Sequence, residues 1–438
     1  MRSFRSTARR ALAGMLGAVL LAVSVGASTG VGAAPAAAAP AQAAEPVPIV
    51  FVHGYYGSGA QYRTQAMRWA SNGFPAERIR AFDYNVDSSG LDAFIDGVRE
   101  EFDVDKVNVV AHSLGTIVMF NYLLNATTGA KVANYVAVDG LGAWCFWGTR
   151  CTTVTASQFG QTHVEVATSA ESFAAQYRHF TGRAPTTTRV VPEAPGDVEI
   201  AGRALDFVEN TPAAGAAGEV WRVDRATGRR QGTAPAARFT VGADGNFGPI
   251  PVDGATYYEI QLTRPTVGSL HYYYQPFERS SYLLRLQTVT QSSPSYTNTV
   301  TGPNHAALIV LRYREFWRSH GAQNDTLTVG TTSPGRGNQP PVDVLRNVPN
   351  DVVGMHLHDN VSPGVSGLGV IAAFSSQPFQ TGVDVYMPAT TPPDGTITIT
   401  NAPRGDTSRT QVLNVANWAS QQGTSRHGVL AEFNDYVQ

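Results

Sequence analysis

The pentapeptide Ala111-His112-Ser113-Leu114-Gly115 ends one apolar run, Val107 to Val110, and opens another at Thr116-Ile117-Val118-Met119-Phe120. The first run reads as a buried strand and the second as a helix. A serine on the sharp turn between them exposes its hydroxyl, the arrangement of a nucleophile elbow. Small residues at 111 and 115 let strand and helix approach closely, with alanine standing where such elbows usually carry their first glycine. The competing reading is a serine that caps an ordinary helix. A hydroxyl becomes a useful nucleophile only when a base takes its proton, so an imidazole and an orienting acid must come from elsewhere in the chain.

In strand–turn–helix sites of this kind the acid and then the histidine follow the serine in sequence. Asp139 stands at the C-terminal end of the next apolar strand, Val132 to Val138. Parallel sheets place their sites outside the carboxyl ends of strands, so that position suits the acid. No Asp or Glu occurs from Gly140 through Thr162, and Glu165 lies beyond the histidine. A turn aspartate in Asp139-Gly140 is the alternative. His163 sits on a loop between a strand over 151–156 and a helix from Ser169. His179 falls inside that helix, and His112 precedes the serine on its strand, which turns the ring away. Ser113, Asp139 and His163 are thus the candidate nucleophile, orienting acid and general base.

Upstream, Pro48-Ile49-Val50-Phe51-Val52 reads as a buried strand running into His53-Gly54-Tyr55-Tyr56-Gly57-Ser58-Gly59. The main-chain N–H groups of Tyr55 and Leu114 are the candidate oxyanion hole. Losing one such donor costs about 3 kcal/mol of barrier. Read alone, the His53-Gly54 stretch is a plain glycine turn.

Strands and amphipathic helices alternate over 44–184, with helices expected at 62–71, 91–102, 114–126 and 169–180. That alternation specifies a parallel sheet with helices on both faces. The His53-Gly54-Tyr55 loop, Ala111-His112-Ser113-Leu114-Gly115, Lys131-Val132-Ala133-Asn134 and Phe159-Gly160-Gln161-Thr162-His163-Val164 resemble the small bacterial lipases of the α/β-hydrolase fold. The acid after the strand that follows the nucleophile, and the long β-rich C-terminal half, resemble more specifically the Archaeoglobus-type lipases and their actinobacterial relatives. The resemblance implies hydrolysis of carboxylic esters of fatty acids, with Ser113, Asp139 and His163 in the matching positions. About sixty residues separate His53 from Ser113, which leaves little room for an inserted helical lid. In the resembled lipases the C-terminal β half helps bind substrate near the active-site mouth. Carried over, this makes Tyr55, Tyr56, Trp144, Phe146 and Trp147 a hydrophobic wall for an acyl chain; the alternative is ordinary packing under loops.

Helical periodicity ends near 184, and the Pro/Thr-rich stretch 185–196 reads as a linker. Short strands over 197–286 resemble a transthyretin-like sandwich, with Asp244-Gly245-Asn246-Phe247-Gly248 as a hairpin turn. A second linker over 287–302 leads to a further β-rich domain, 303–438. There His356-Leu357-His358 reads as a surface strand end rather than a metal site.

The chain opens with Arg2, Arg5, Arg9 and Arg10, then an apolar stretch, then an Ala/Pro-rich segment, and no acid precedes Glu45. These are the marks of a secretory signal peptide over 1–43, cut after Ala43 or nearer Ala33; an uncleaved anchor is the rival. Removal of that leader lowers the 32 basic residues by four against 34 acidic ones, taking the net charge from −2 to −6. Such a chain has no basic nucleic-acid footprint. The two cysteines, Cys145 and Cys151, are close enough in sequence to form a disulfide in an exported protein. Together with the resemblance, these features lead to the expectation of an extracellular, monomeric ester hydrolase with no cofactor or metal and no membrane span after processing, its partner being a lipid or ester substrate. A polyester depolymerase, or a surface- or carbohydrate-binding protein with an inert hydrolase domain, is the rival.

Overall fold

The computed structural model describes residues 45–85 and 87–436; the expected leader lies outside the described residues. Five parallel strands form the N-terminal sheet: β1 (Ile49–Val52), β2 (Ile79–Phe82), β3 (Val107–His112), β4 (Val132–Val138) and β5 (Arg150–Val154). Their order is β2-β1-β3-β4-β5. Six helices belong with them: α1 (Arg63–Ser71), α2 (Leu91–Glu101), α3 (Leu114–Leu124), α4 (Ala126–Gly129), α5 (Glu165–Thr168) and α6 (Ala170–Thr181).

Period-2 alternation explains why these strands read as continuous apolar runs. Val50 and Val52 face Leu91, Ile95 and Val98 of α2 and Met119 of α3. Ile49 and Phe51 face Trp69 of α1 and Phe173 and Tyr177 of α6. Both faces are buried, as the alternation of elements requires. The last helix stops where expected, with Gly182 at φ 75° accepting the left-handed turn. Cys145 and Cys151 are bonded, their Cα atoms 5.8 Å apart, across the excursion between β4 and β5.

The remainder is β-rich. Strands β6 (Val198–Asp206), β7 (Thr211–Pro212), β8 (Ala217–Val223), β9 (Ala237–Thr240), β10 (Asn246–Val252), β11 (Tyr257–Arg264), β12 (Gly268–Tyr274) and β13 (Ser281–Thr288) come first. They divide between a sheet of order β10-β6-β13, with β7 on β6, and the β12-β11-β8-β9 end of a larger sheet. Ile200, Leu205, Phe247 and Leu284 of one pack on Val220, Ile260 and Tyr272 of the other. The turn at Asp244–Asn246 is not a hairpin. It closes through Gly245 N–H on the Gly242 carbonyl, but β9 and β10 belong to different sheets, so the turn carries the chain from one layer to the other.

Downstream lie β14 (Ala307–Phe316), β15 (Thr326–Thr332), β16 (Gln339–Asp343), β17 (Val352–His358), β18 (Gln380–Asp384), β19 (Thr396–Ala402), β20 (Gln411–Ala416), β21 (Gln421–Gln422) and β22 (Ser425–Glu432). Here β22 inserts between β14 and β12, parallel to both, so one sheet runs through both β-rich stretches. His356 and His358 are buried and not at a surface strand end; the His356 ring stacks on Phe374 and its Nε2 bonds Gln380 at 2.8 Å. Among the described residues no helix is long and apolar enough to cross a membrane.

Asp83, just past β2, ties the loop after β1 to the β-rich part. Its buried carboxylate accepts from Gly59 N–H (2.7 Å), Arg285 of β13 (2.9 Å) and Arg203 of β6 (2.9 Å). Burial alone would raise this carboxyl, but the two guanidiniums hold it down at about 2. Asp83→Ala leaves the buried Arg285 guanidinium without its carboxylate and is expected to lose about 3–5 kcal/mol of stability, read as a lower urea midpoint. Burial also holds His356, His358 and His427 down to about 4. Once unfolded they protonate near 6.5, so between those values the unfolded chain binds more protons and stability falls with falling pH. Calorimetry is expected to show Tm declining steadily from about pH 7 to about pH 4; a flat profile contradicts neutral burial.

Candidate active site

The sharp turn between β3 and α3 puts Ser113 at φ 53° and ψ −121°, a strained conformation for a residue with a Cβ. Surrounding bonds fix it there. Its N–H donates to the Val138 carbonyl (3.0 Å), and its own carbonyl accepts from Thr116 N–H (2.9 Å) and Thr116 Oγ1 (2.6 Å). Gly115 explains the local sequence: a Cβ there would lie 2.6 Å from both the Val52 and His53 carbonyl oxygens. Only glycine lets the start of α3 approach the end of β1 so closely.

Asp139 follows β4 at φ 45°, and a Cβ on Gly140 would meet Thr116 Oγ1 at 2.3 Å and the Ser113 carbonyl at 2.6 Å. The Asp-Gly pair is therefore required by the proximity of the serine turn. One carboxylate oxygen accepts from Ala156 N–H (2.8 Å), and the other accepts from His163 Nδ1–H (2.6 Å). The opposite ring nitrogen, Nε2, accepts from Ser113 Oγ (2.9 Å). Serine, imidazole and carboxylate thus form one unbroken hydrogen-bonded chain, drawn from three separate loops at one edge of the sheet. Glu165 is turned elsewhere, its carboxylate paired with Arg314 (2.5 Å) and Arg404 (3.2 Å).

The His112 ring is not turned away. Its Nε2–H donates to the His163 carbonyl (2.8 Å), its Nδ1 accepts from Gln61 (2.9 Å), and the two rings stand 4.7 Å apart. The inward side of β3 at this point is the side that faces the histidine loop, which strand alternation alone could not reveal. Burial pushes the His112 imidazole down to about 3, keeping it neutral as a fixed donor. His53 is likewise buried and lowered; its Nδ1–H donates to the Gly54 carbonyl (2.7 Å) and its Nε2 accepts from Tyr84 N–H (3.2 Å). These bonds fix the loop that carries Tyr55. The Leu114 amide opens α3, where no intrahelical acceptor exists for it.

Ser113 and His163 lie together in one cleft. Tyr55 and Tyr56 line it, packed edge to face at 4.6 Å. Trp144, Phe146 and Trp147 do not. Trp144 packs on Phe120, and Trp147 donates to the Leu123 carbonyl at the end of α3 (2.9 Å). The rest of the wall comes from the β-rich part: Phe207, Leu311, Tyr313, Val353 and Phe379, the last with its ring 6.1 Å from that of His163. Nothing local in the sequence marks these residues, because they reach the site only through the later sheet. A second, mostly apolar pocket, lined by Leu270, Ile309, Leu357 and Leu430, shares Gln287 with the cleft.

Residues 196–291 match the family model of the lipase C-terminal domain. Residues 296–437 match a model described as a "-like, C-terminal domain". Among solved structures, a selenomethionine-substituted hypothetical protein from Pseudomonas aeruginosa PAO1 aligns at 18% identity and a TM-score of 0.16 over 24% of this chain, which spans 38% of that protein's length. The Bacillus licheniformis lipase BlEst2 in its propeptide form aligns at 12% identity and a TM-score of 0.26, covering 85% of this chain and 93% of its own. The lipase family match falls entirely downstream of Ser113, Asp139 and His163, and it contributes Phe207 and Gln287 to the cleft lining. In that region the chain is lipase-like.

Proposed function

We propose that this chain is a secreted serine hydrolase of α/β-hydrolase fold that cleaves carboxylic esters of fatty acids. The observation that carries the reading is the Asp139–His163–Ser113 hydrogen-bonded chain, with links of 2.6 and 2.9 Å, at the floor of an aromatic-walled cleft. The segment 44–184 supplies the reacting groups, and the β-rich stretches 197–286 and 303–438 supply the acyl wall. The Cys145–Cys151 disulfide and the leader-like 1–43 favour an exported protein.

In this reading Ser113 Oγ attacks the ester carbonyl as His163 Nε2 takes its proton. Asp139 holds the imidazole in the tautomer that leaves Nε2 free and stabilises the imidazolium that forms. The Tyr55 and Leu114 amides receive the oxyanion. Collapse of the tetrahedral intermediate expels the alcohol, which takes the proton from His163, and leaves an acyl-Ser113 ester. Water then attacks that ester with His163 again as base, releasing the acid and regenerating the serine. Tyr55, Tyr56 and Phe207 flank the acyl carbon, and the apolar cavity beyond Gln287 has room for the distal methylenes. Each buried methylene contributes up to about 0.8 kcal/mol, so activity should climb with acyl length until that space is full.

An organophosphonate is expected to label the wild-type protein on Ser113. Ser113→Ala and His163→Ala are expected to lower kcat on p-nitrophenyl esters by roughly 10⁴- to 10⁶-fold with the fold intact; an active Ser113→Ala protein ends the assignment. Ile309→Trp, which fills the second pocket, is expected to reduce kcat/KM for a long-chain ester by roughly 15- to 60-fold relative to the butyrate, since two to three methylenes lose their burial. An unchanged chain-length profile would remove the cavity from the substrate path.

A further inference from the structure

Glu315 lies on β14, in the β-rich part, and its side chain reaches the loop that carries His163. Oε1 accepts from Val164 N–H (2.7 Å), and Oε2 accepts from Glu165 N–H (2.8 Å) and from Thr162 Oγ1 (2.7 Å). These three donors bracket position 163 on both sides. The His163 carbonyl is taken by His112. The histidine backbone is therefore held from below by one carboxylate and one neutral imidazole.

The carboxylate is itself fixed. Glu315 is 3% exposed, and its own carbonyl accepts from Arg312 (2.6 Å) and Arg404 (3.0 Å). Arg312 and Arg404 converge on Asp325, while Arg314 and Arg404 pair with Glu165. Three guanidiniums and two carboxylates interlock here, and the Glu315 carboxylate beside them is satisfied by two backbone N–H groups and the Thr162 hydroxyl. Carboxylates make short, strong bonds to N–H and O–H donors, and two N–H groups and one hydroxyl on one short loop suit a clamp better than a chance contact.

We propose that Glu315 is a positioning residue for His163, acting through the loop backbone so that the imidazole stays within reach of both Ser113 and Asp139. This rests on the reading of His163 as the base. It makes the β-rich part a component of the proton-transfer machinery itself, required even for substrates too short to touch the acyl wall. Displacing a reacting group by about an ångström can lower a rate by roughly a hundredfold.

The test uses the full chain with p-nitrophenyl butyrate. Glu315→Ala is expected to lower kcat by about 10- to 100-fold with KM within about twofold, and to slow organophosphonate labelling by the same factor. The downfield proton NMR resonance of His163 Nδ1–H is expected to broaden or shift. Glu315→Gln, which keeps one acceptor oxygen, should fall between. Asp394→Asn is the control: that carboxylate accepts from Ser333, Gly335 and Asn417 in a turn of the β-rich part that takes no part in the cleft. It is expected to change Tm but neither kcat nor the resonance. A folded Glu315→Ala protein with wild-type kcat and an unaltered resonance overturns the clamp, as does an equal kcat loss in the control. Should Glu315→Ala fail to fold, Thr162→Val removes one of the three bonds, and an unchanged kcat there overturns the proposal equally. A wild-type protein that neither reacts with the phosphonate nor turns over esters sinks the hydrolase reading instead, while the resonance still reports whether Glu315 holds the imidazole.

Discussion

Ser113 keeps its left-handed backbone only because its neighbours leave it no other. Such a conformation costs about 1–3 kcal/mol and persists where surrounding structure over-determines it. The Val138 carbonyl, the Thr116 side chain and the glycine-allowed contact of Gly115 with the end of β1 do this together. Release of that turn would drop the hydroxyl toward the helix axis and away from His163. The Leu114 amide would move with it, so nucleophile and proposed oxyanion donor are set by a single backbone decision.

Around that fixed point the two parts of the chain divide the work by chemistry. The parallel sheet contributes the groups whose protons and electrons would move, each at or just beyond a strand end. The β-rich part contributes enclosure and rigidity: Phe379 and Leu311 at the wall, Glu315 beneath the histidine loop, and Arg203 and Arg285 on Asp83 behind the glycine loop. Buried neutral histidines serve on both sides as fixed donors and acceptors, His53 and His112 next to the cleft and His356 on β17.

The Ser113–His163–Asp139 hydrogen-bonded chain was legible in the sequence because each member advertises itself locally. Ser113 sits between two apolar periodicities, Asp139 ends a strand, and the acid-free interval up to Thr162 leaves no rival before His163. The supporting residues were not legible, for a physical reason. Glu315, Phe379 and Leu311 meet the site through sheet pairings made more than a hundred residues apart in places, and no local pattern encodes them. Trp144 and Trp147 misled because aromatic residues near an acid suggest a substrate wall, whereas here they lie against α3. The turn at Asp244–Asn246 has hairpin chemistry but joins two layers, since a turn fixes local geometry and not the partner of the strand that follows. His112 shows the same limit from the other direction: alternation assigns a face, not what will pack against it.

The strand order has a consequence for how the molecule is made. Strand β22 is synthesised after every other described strand, yet it occupies an inner place between β12 and β14 and pairs with both. During translation those two strands must wait side by side, each with a row of backbone amides and carbonyls unanswered, until the closing segment emerges and slots between them. Pairings so distant along the chain close slowly, and open edges invite foreign strands. The histidine loop leans on β14, so its final support too is set among the last events of maturation.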